Sequence, residues 1–125
     1  DGVGSKVLLA TKMKVFDTVG QDCVAMNVND LIVGGAEPLF FVDYIGIHRD
    51  HPKRVAQIVK GVADGCRLAD CALISGETAA LPDLYEKDHF DLVGFPEIRE
   101  LEEKYLPKKN LDKYAQSSGL YKFDR

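Results

Sequence analysis

Three short runs in this chain of 125 residues carry side chains whose types and spacing could do chemistry. The first is Asp1-Gly2-Val3-Gly4-Ser5-Lys6, where two glycines permit close approach of the main chain to a ligand, Lys6 supplies a point charge for a phosphate, and Asp1 is a hard oxygen donor for a metal. Its spacing is not that of a P-loop, so a glycine turn with a solvated lysine explains it equally well. The second is Asn27-Val28-Asn29-Asp30, inside an otherwise apolar stretch. Asp is disfavoured in a helix interior and costly to bury alone, and no Lys or Arg lies between Lys14 and Arg49 to pair with it. Asp30 therefore either faces solvent or is compensated by a cation, a role that a Mg²⁺ ion carrying nucleotide phosphates would fill. The third is Ser75-Gly76-Glu77-Thr78, a turn of small residues expected at the end of a strand, where ligands collect in sheets with crossover helices. Glu77 could ligate a metal and Gly76 could admit a phosphate, or the run is a plain polar turn. Together, Asp1, Asp30 and Glu77 suggest one shared Mg²⁺ site.

Other reactive side chains read more simply. His48, His51 and His89 sit in polar, loop-like surroundings without paired metal-ligand spacing and are expected at the surface. Three cysteines, Cys23, Cys66 and Cys71, give an odd count with no paired short spacing, which argues against a disulfide framework or zinc knuckle and fits a reducing cytoplasm. Cys66 and Cys71 are expected in the core, and Cys23 has no base visible nearby that would make it a nucleophile.

These runs need elements to position them. With 46% hydrophobic and 29% charged residues, the composition is that of a globular domain, and no apolar run approaches the roughly 20 residues of a spanning helix. The net charge of −4 and the lack of a basic block argue against nucleic acid as a partner, and nothing points to a membrane. The chain opens on Asp1 without an initiator Met, so it is expected to be a fragment or processed product. The short apolar run of residues 6–10 is expected as a strand. Apolar residues at near-helical intervals predict a helix over 17–31, closed by Gly34-Gly35. Residues 37–47 are apolar in both parities, which predicts a strand buried on both faces and a second subunit or domain as its cover. Pro52 and the stripe Val55, Ile58, Val59, Val62 and Cys66 predict an amphipathic helix. Strands are expected over 71–74 and 91–95, and a helix over 97–106 on the stripe Ile98, Leu101, Tyr105. This order predicts an α+β fold, a mixed sheet with helices packed on one face.

Several of these runs, in this order, resemble a known family. Asp1 to Lys6, the blocks Asp17-Thr18-Val19-Gly20-Gln21-Asp22 and Val24 to Leu31, Gly35-Ala36-Glu37-Pro38 through Tyr44, Cys71 to Ala79, and Asp91-Leu92-Val93-Gly94-Phe95 are similar to the phosphoribosylformylglycinamidine cyclo-ligases, or aminoimidazole ribonucleotide synthetases. The resemblance is collinear over residues 1–95. It implies a cytoplasmic ligase of purine biosynthesis that uses ATP and Mg²⁺ to activate the amide oxygen of formylglycinamidine ribonucleotide, after which ring closure yields aminoimidazole ribonucleotide. It also implies an N-terminal domain whose barrel is completed by dimerisation, so that the partner is a second copy of the chain. By position, Asp1, Asp30 and Glu77 resemble the acidic Mg²⁺-nucleotide ligands, and Lys6 with Gly2 and Gly4 the phosphate-side loop. Asn29 and Gly76 are expected to complete the nucleotide-binding set, while the resemblance assigns no catalytic residue. Ser75 stands where the family usually has Gly, and Ser5 where it usually has Thr. Residues 1–95 are thus expected to be a partial ATP-binding and dimerisation domain, inactive alone, with 96–125 a tail of different character. The alternative is a non-catalytic dimerisation or nucleotide-binding module of the same descent.

Overall fold

A computed structural model describes residues 1–100, with side chains through residue 99. The elements in chain order are α1 (Lys6–Met13), α2 (Asp17–Val33), β1 (Ala36–Ile47), α3 (Pro52–Leu68), β2 (Ala72–Ala80) and β3 (Phe90–Glu100). β1 is central, paired in parallel with β2 on one side and antiparallel with β3 on the other. The sheet is therefore mixed, as expected, and the parallel pair requires a crossover, which α3 supplies.

α3 starts where its sequence demands. Pro52 occupies the first turn, where a missing N–H is harmless, and the His51 side chain accepts from the Arg54 amide. Its buried residues Ile58, Val62 and Cys66 form one stripe with helical spacing. α2 buries Val19, Cys23, Val24 and Val28 against that stripe. Where the two helices cross, their main chains touch: a Cβ on Gly61 would lie 1.8 Å from the Asp17 carbonyl oxygen. Below them, Phe41, Ile45 and Leu92 of the sheet are fully buried, so the core lies between one sheet face and the α2–α3 pair.

Three expectations are corrected. Residues 6–10 are not a strand but the start of α1. A four-residue apolar run cannot reveal its period; only Val7 and Ala10, three apart, reach the core, while Leu8 and Leu9 stay exposed. Ser75 to Thr78 is not a turn but the middle of β2, with Gly76 paired to Asp43 and Glu77 to Tyr44. The parallel ladder along β1 supplies the hydrogen bonds that outweigh local turn preference, and Ile74 is the extra residue where the register shifts. Residues 97–100 are not helical but extend β3, with Arg99 facing Glu37 across the pair at 2.5 Å. Pro96 is tolerated because β3 is an edge strand. Residues 101–106, the rest of that expected helix, lie outside the described residues.

Among the described residues, the second face of the sheet is covered by the Tyr85 ring at Gly46 but is open toward Phe40 and Phe95. Phe40 and Phe95 are 40% and 53% exposed there, and Val42, two residues after Phe40, pairs directly with Phe95. Among the described residues, no helix is long and apolar enough to cross a membrane.

Candidate functional site

Residues 1–6 are held as an extension of the sheet. The Val3 amide donates to the Leu92 carbonyl and the Gly94 amide to the Asp1 carbonyl, each at 2.9 Å, with Gly2 bridged to Val93. Gly4 then takes φ +67°, a conformation that L side chains rarely adopt, and the chain turns into α1. The amides of Gly4, Ser5 and Lys6 are left without a partner among the described residues, because after Val3 the next amides to bond are those of Val7 and Leu8. A glycine turn delivering unpaired amides at a helix start can cradle an anion. Lys6 does not yet face such an anion: its ammonium lies 2.5 Å from the Asp22 carboxylate on α2.

Asn27, buried at 4% exposure, ties this segment to the helices. Its Oδ1 accepts from the Asp1 main-chain nitrogen at 2.9 Å, and its Nδ2 donates to the Cys23 carbonyl at 2.8 Å and the Asp1 carbonyl at 3.3 Å. Its amide lies over Gly94, where an added Cβ would come within 2.6 Å of Nδ2. Sequence reasoning singled out the run Asn27 to Asp30 but gave roles only to Asn29 and Asp30, and none to Asn27. The available signal was its position on the core stripe of α2, four residues after Cys23.

The second missed residue is Asp43, in the middle of β1 and 4% exposed. Gly76 and Gly94 flank it in the two neighbouring strands. A Cβ on Gly76 would stand 2.1 Å from Asp43 Oδ1, so the space at that glycine is taken by the carboxyl group. Loss of water on burial pushes the Asp43 acid up, opposed in part by a hydrogen bond from its own main chain. The same burial pushes the Cys23 thiol up to about 12, which makes it an inert packing group and not a nucleophile.

The expected metal ligands are placed apart. Asp1 Oδ1 accepts from the Gly2 amide at 2.7 Å. Asp30 and Asn29 are exposed near the end of α2, and Glu77 is exposed on β2; neither carboxylate has a side-chain partner among the described residues. No group of three or more His, Cys, Asp or Glu side chains among the described residues is arranged to hold an ion, so one chain does not gather Asp1, Asp30 and Glu77 into a cage. Their chemistry still suits Mg²⁺ on nucleotide phosphates, which keeps most of its waters and takes only one or two protein carboxylates.

A family model described as AIR synthase related protein, N-terminal domain, matches residues 1–95. The chain belongs to this family. The AIR synthase related domain has named relatives at high identity: the phosphoribosylformylglycinamidine cyclo-ligase of Ligilactobacillus salivarius is 60% identical over 95 residues, covering 76% of this chain and 28% of that protein. That of Acetivibrio thermocellus is 59% identical over the same shares. The chain thus spans about 28% of the length of the curated relatives it matches. Among solved structures, the thiamine monophosphate kinase of Aquifex aeolicus aligns with TM-score 0.59 at 18% identity, over 69% of this chain and 28% of that one. Hydrogenase maturation protein HypE in complex with ATP aligns with TM-score 0.58 at 18% identity, over 69% of this chain and 26% of that one. At that identity the likeness is one of fold, and it agrees with the mixed sheet and helix pair of the AIR synthase related domain.

Proposed function

We propose that this chain is the nucleotide-binding, dimer-forming part of a phosphoribosylformylglycinamidine cyclo-ligase of the cytoplasm. The observation that carries the reading is the 60% identity to such an enzyme over 95 residues. The reaction would phosphorylate the amide oxygen of formylglycinamidine ribonucleotide from ATP; a ring-closing nitrogen then displaces phosphate from the activated carbon. An amide oxygen leaves poorly until it is so activated. In this reading the Gly4 turn and the unpaired amides at the start of α1 receive nucleotide phosphates, and Lys6 exchanges Asp22 for them. Asn27 fixes that loop against β3. Asp30 and Glu77 would hold the Mg²⁺ carried by the nucleotide, and the ion would supply neutralisation of phosphate charge. That HypE carries ATP on the same fold supports the choice of nucleotide.

Calorimetric titration of the chain with ATP tests this. Saturable heat is expected with Mg²⁺, with at least tenfold weaker binding, about 1.4 kcal/mol, in Asp30→Asn. A folded chain that gives no heat, or a variant that binds as tightly as the parent, would overturn it.

The open part of that sheet face carries the second part of the reading. Phe40, Val42 and Phe95 present an apolar strip that a second copy would cover, closing a barrel from two sheets. Sedimentation should show a dimer that becomes a monomer when Phe40→Glu and Phe95→Glu are combined, with the helical circular dichroism retained. A parent chain that sediments as a monomer at tens of micromolar would remove this part.

A further inference from the structure

At the end of β1 opposite to Asp30, where the chain passes into α3, a hollow of about 410 Å³ is lined by Thr11, Lys14, Lys53 and Arg54 among others. It shares a wall, built by His51, Arg54 and Asp88, with a second hollow of about 340 Å³ that Arg49 and Lys87 line. Five cations stand here against the carboxylates of Asp50 and Asp88, in a chain whose net charge is −4.

Two further observations point to a missing anion. Among the described residues, the buried side-chain atoms without a hydrogen-bond partner are Thr11 Oγ1 and Arg54 Nε, and both residues line the larger hollow. Buried donors are normally satisfied, so two unsatisfied ones on one cavity call for an acceptor. Arg54 is held in place, its side chain 13% exposed, by Asp88 through Nη1 and Nη2 at 2.9 and 3.2 Å and by stacking on Phe16. The first turn of α3 holds no acid, and Lys53 and Arg54 stand at the positive end of its dipole, against the usual preference. An anion in the hollow would relieve both conflicts.

We propose that this hollow is an anion site, separate from the loop at Gly4, that takes the phosphate group of a small molecule. Lys14 and Lys53 bring mobile charge from the rim, the Arg54 guanidinium adds fixed charge at the wall, and the Thr11 hydroxyl, closed off as its side chain stands, turns outward to donate. Phosphate suits it better than carboxylate, because several donors converge from different elements and a phosphate offers three or more acceptor oxygens.

The test is titration of the chain with inorganic phosphate and separately with diphosphate at low ionic strength, followed by calorimetry and amide chemical shifts. Saturable binding is expected, with shifts at Thr11 and Arg54, retained in Lys6→Gln and at least fivefold weaker in the double variant Lys14→Gln, Lys53→Gln. Thr11→Val should weaken binding at least threefold while leaving the phosphate-free melting temperature equal or higher, since it removes an unsatisfied hydroxyl. A purely structural Thr11 would instead lower that temperature. Absence of saturable binding by the folded chain, shifts confined to residues 4–6, or unchanged binding in the double variant would overturn the proposal. Tighter binding of a single-stranded oligonucleotide than of diphosphate would overturn the small-molecule assignment.

Discussion

Replacing Gly61 by Ala is expected to destabilise the chain by about 3 kcal/mol, because a side chain there has nowhere to go. Its Cβ would stand 1.8 Å from the Asp17 carbonyl oxygen and 3.0 Å from the Asp17 Cα, so the obstacle is main chain and not a movable side-chain tip. The facing residue has the same constraint: a Cβ on Gly20 would meet the Ile58 carbonyl oxygen at 2.4 Å and the Val62 nitrogen at 2.6 Å. The two helices must separate to admit the methyl group, which opens the core around Ile58, Val62, Cys23 and Val24. Alanine would contribute up to about 1 kcal/mol of helix propensity in its favour, too little to offset the clash. For a domain of this size the loss corresponds to a melting temperature lower by more than about 10 °C. Ala56→Gly, exposed on the same helix, provides the control: it should cost about 1 kcal/mol through propensity alone. An unchanged or raised melting temperature in Gly61→Ala would show that the helices cross farther apart than described.

The same crossing explains why much of the fold is legible and some of it is not. α3 and β1 can be read because their patterns are long: a stripe from Val55 to Cys66 and a β-rich run from Phe40 to Ile47. α1 cannot, since Val7 to Ala10 is shorter than the period that would identify it. The small residues of Ser75 to Thr78 look like a turn locally, and only the ladder to Val42 through Ile45 makes them a strand. Pro96 with its charged followers looks like a helix start, and only pairing of Pro96 with Phe41, Ile98 with Pro38 and Arg99 with Glu37 draws the segment into β3. The site divides in the same way. Gly4 is visible because a glycine between small residues implies backbone freedom, and its φ of +67° confirms that demand. Asn27 and Asp43 escape because their importance lies in burial, which is a property of packing between elements. The trace they leave is positional: Asp43 shares the inward parity of Phe41 and Ile45, and Asn27 shares the inward stripe of Cys23 and Val24.

That inward position makes Asp43 the residue for which a conservative change should help the fold. Asp43→Asn is expected to stabilise the chain by about 1–3 kcal/mol at pH 7, the range for relieving a buried, poorly compensated polar group. The sign follows from linkage. Burial raises the native pKa of Asp43 above the ~3.9 of an unfolded Asp. Between those two values the native state holds a proton that the unfolded state has released, so stability falls as pH rises through that window and levels off above the native pKa. Below the unfolded pKa both states are protonated and the penalty vanishes. The variant carries no such proton, so its advantage should be near zero around pH 4 and full above the native pKa. Urea denaturation at intervals from pH 4 to pH 8 reads both curves directly. Parent stability with no downward slope in that range, or a variant that is weaker at pH 7, would mean that the carboxylate is compensated in the folded chain, by a cation it takes up from solution. Such a result would move Asp43 from a packing compromise flanked by two glycines to a direct participant in binding cations or nucleotide.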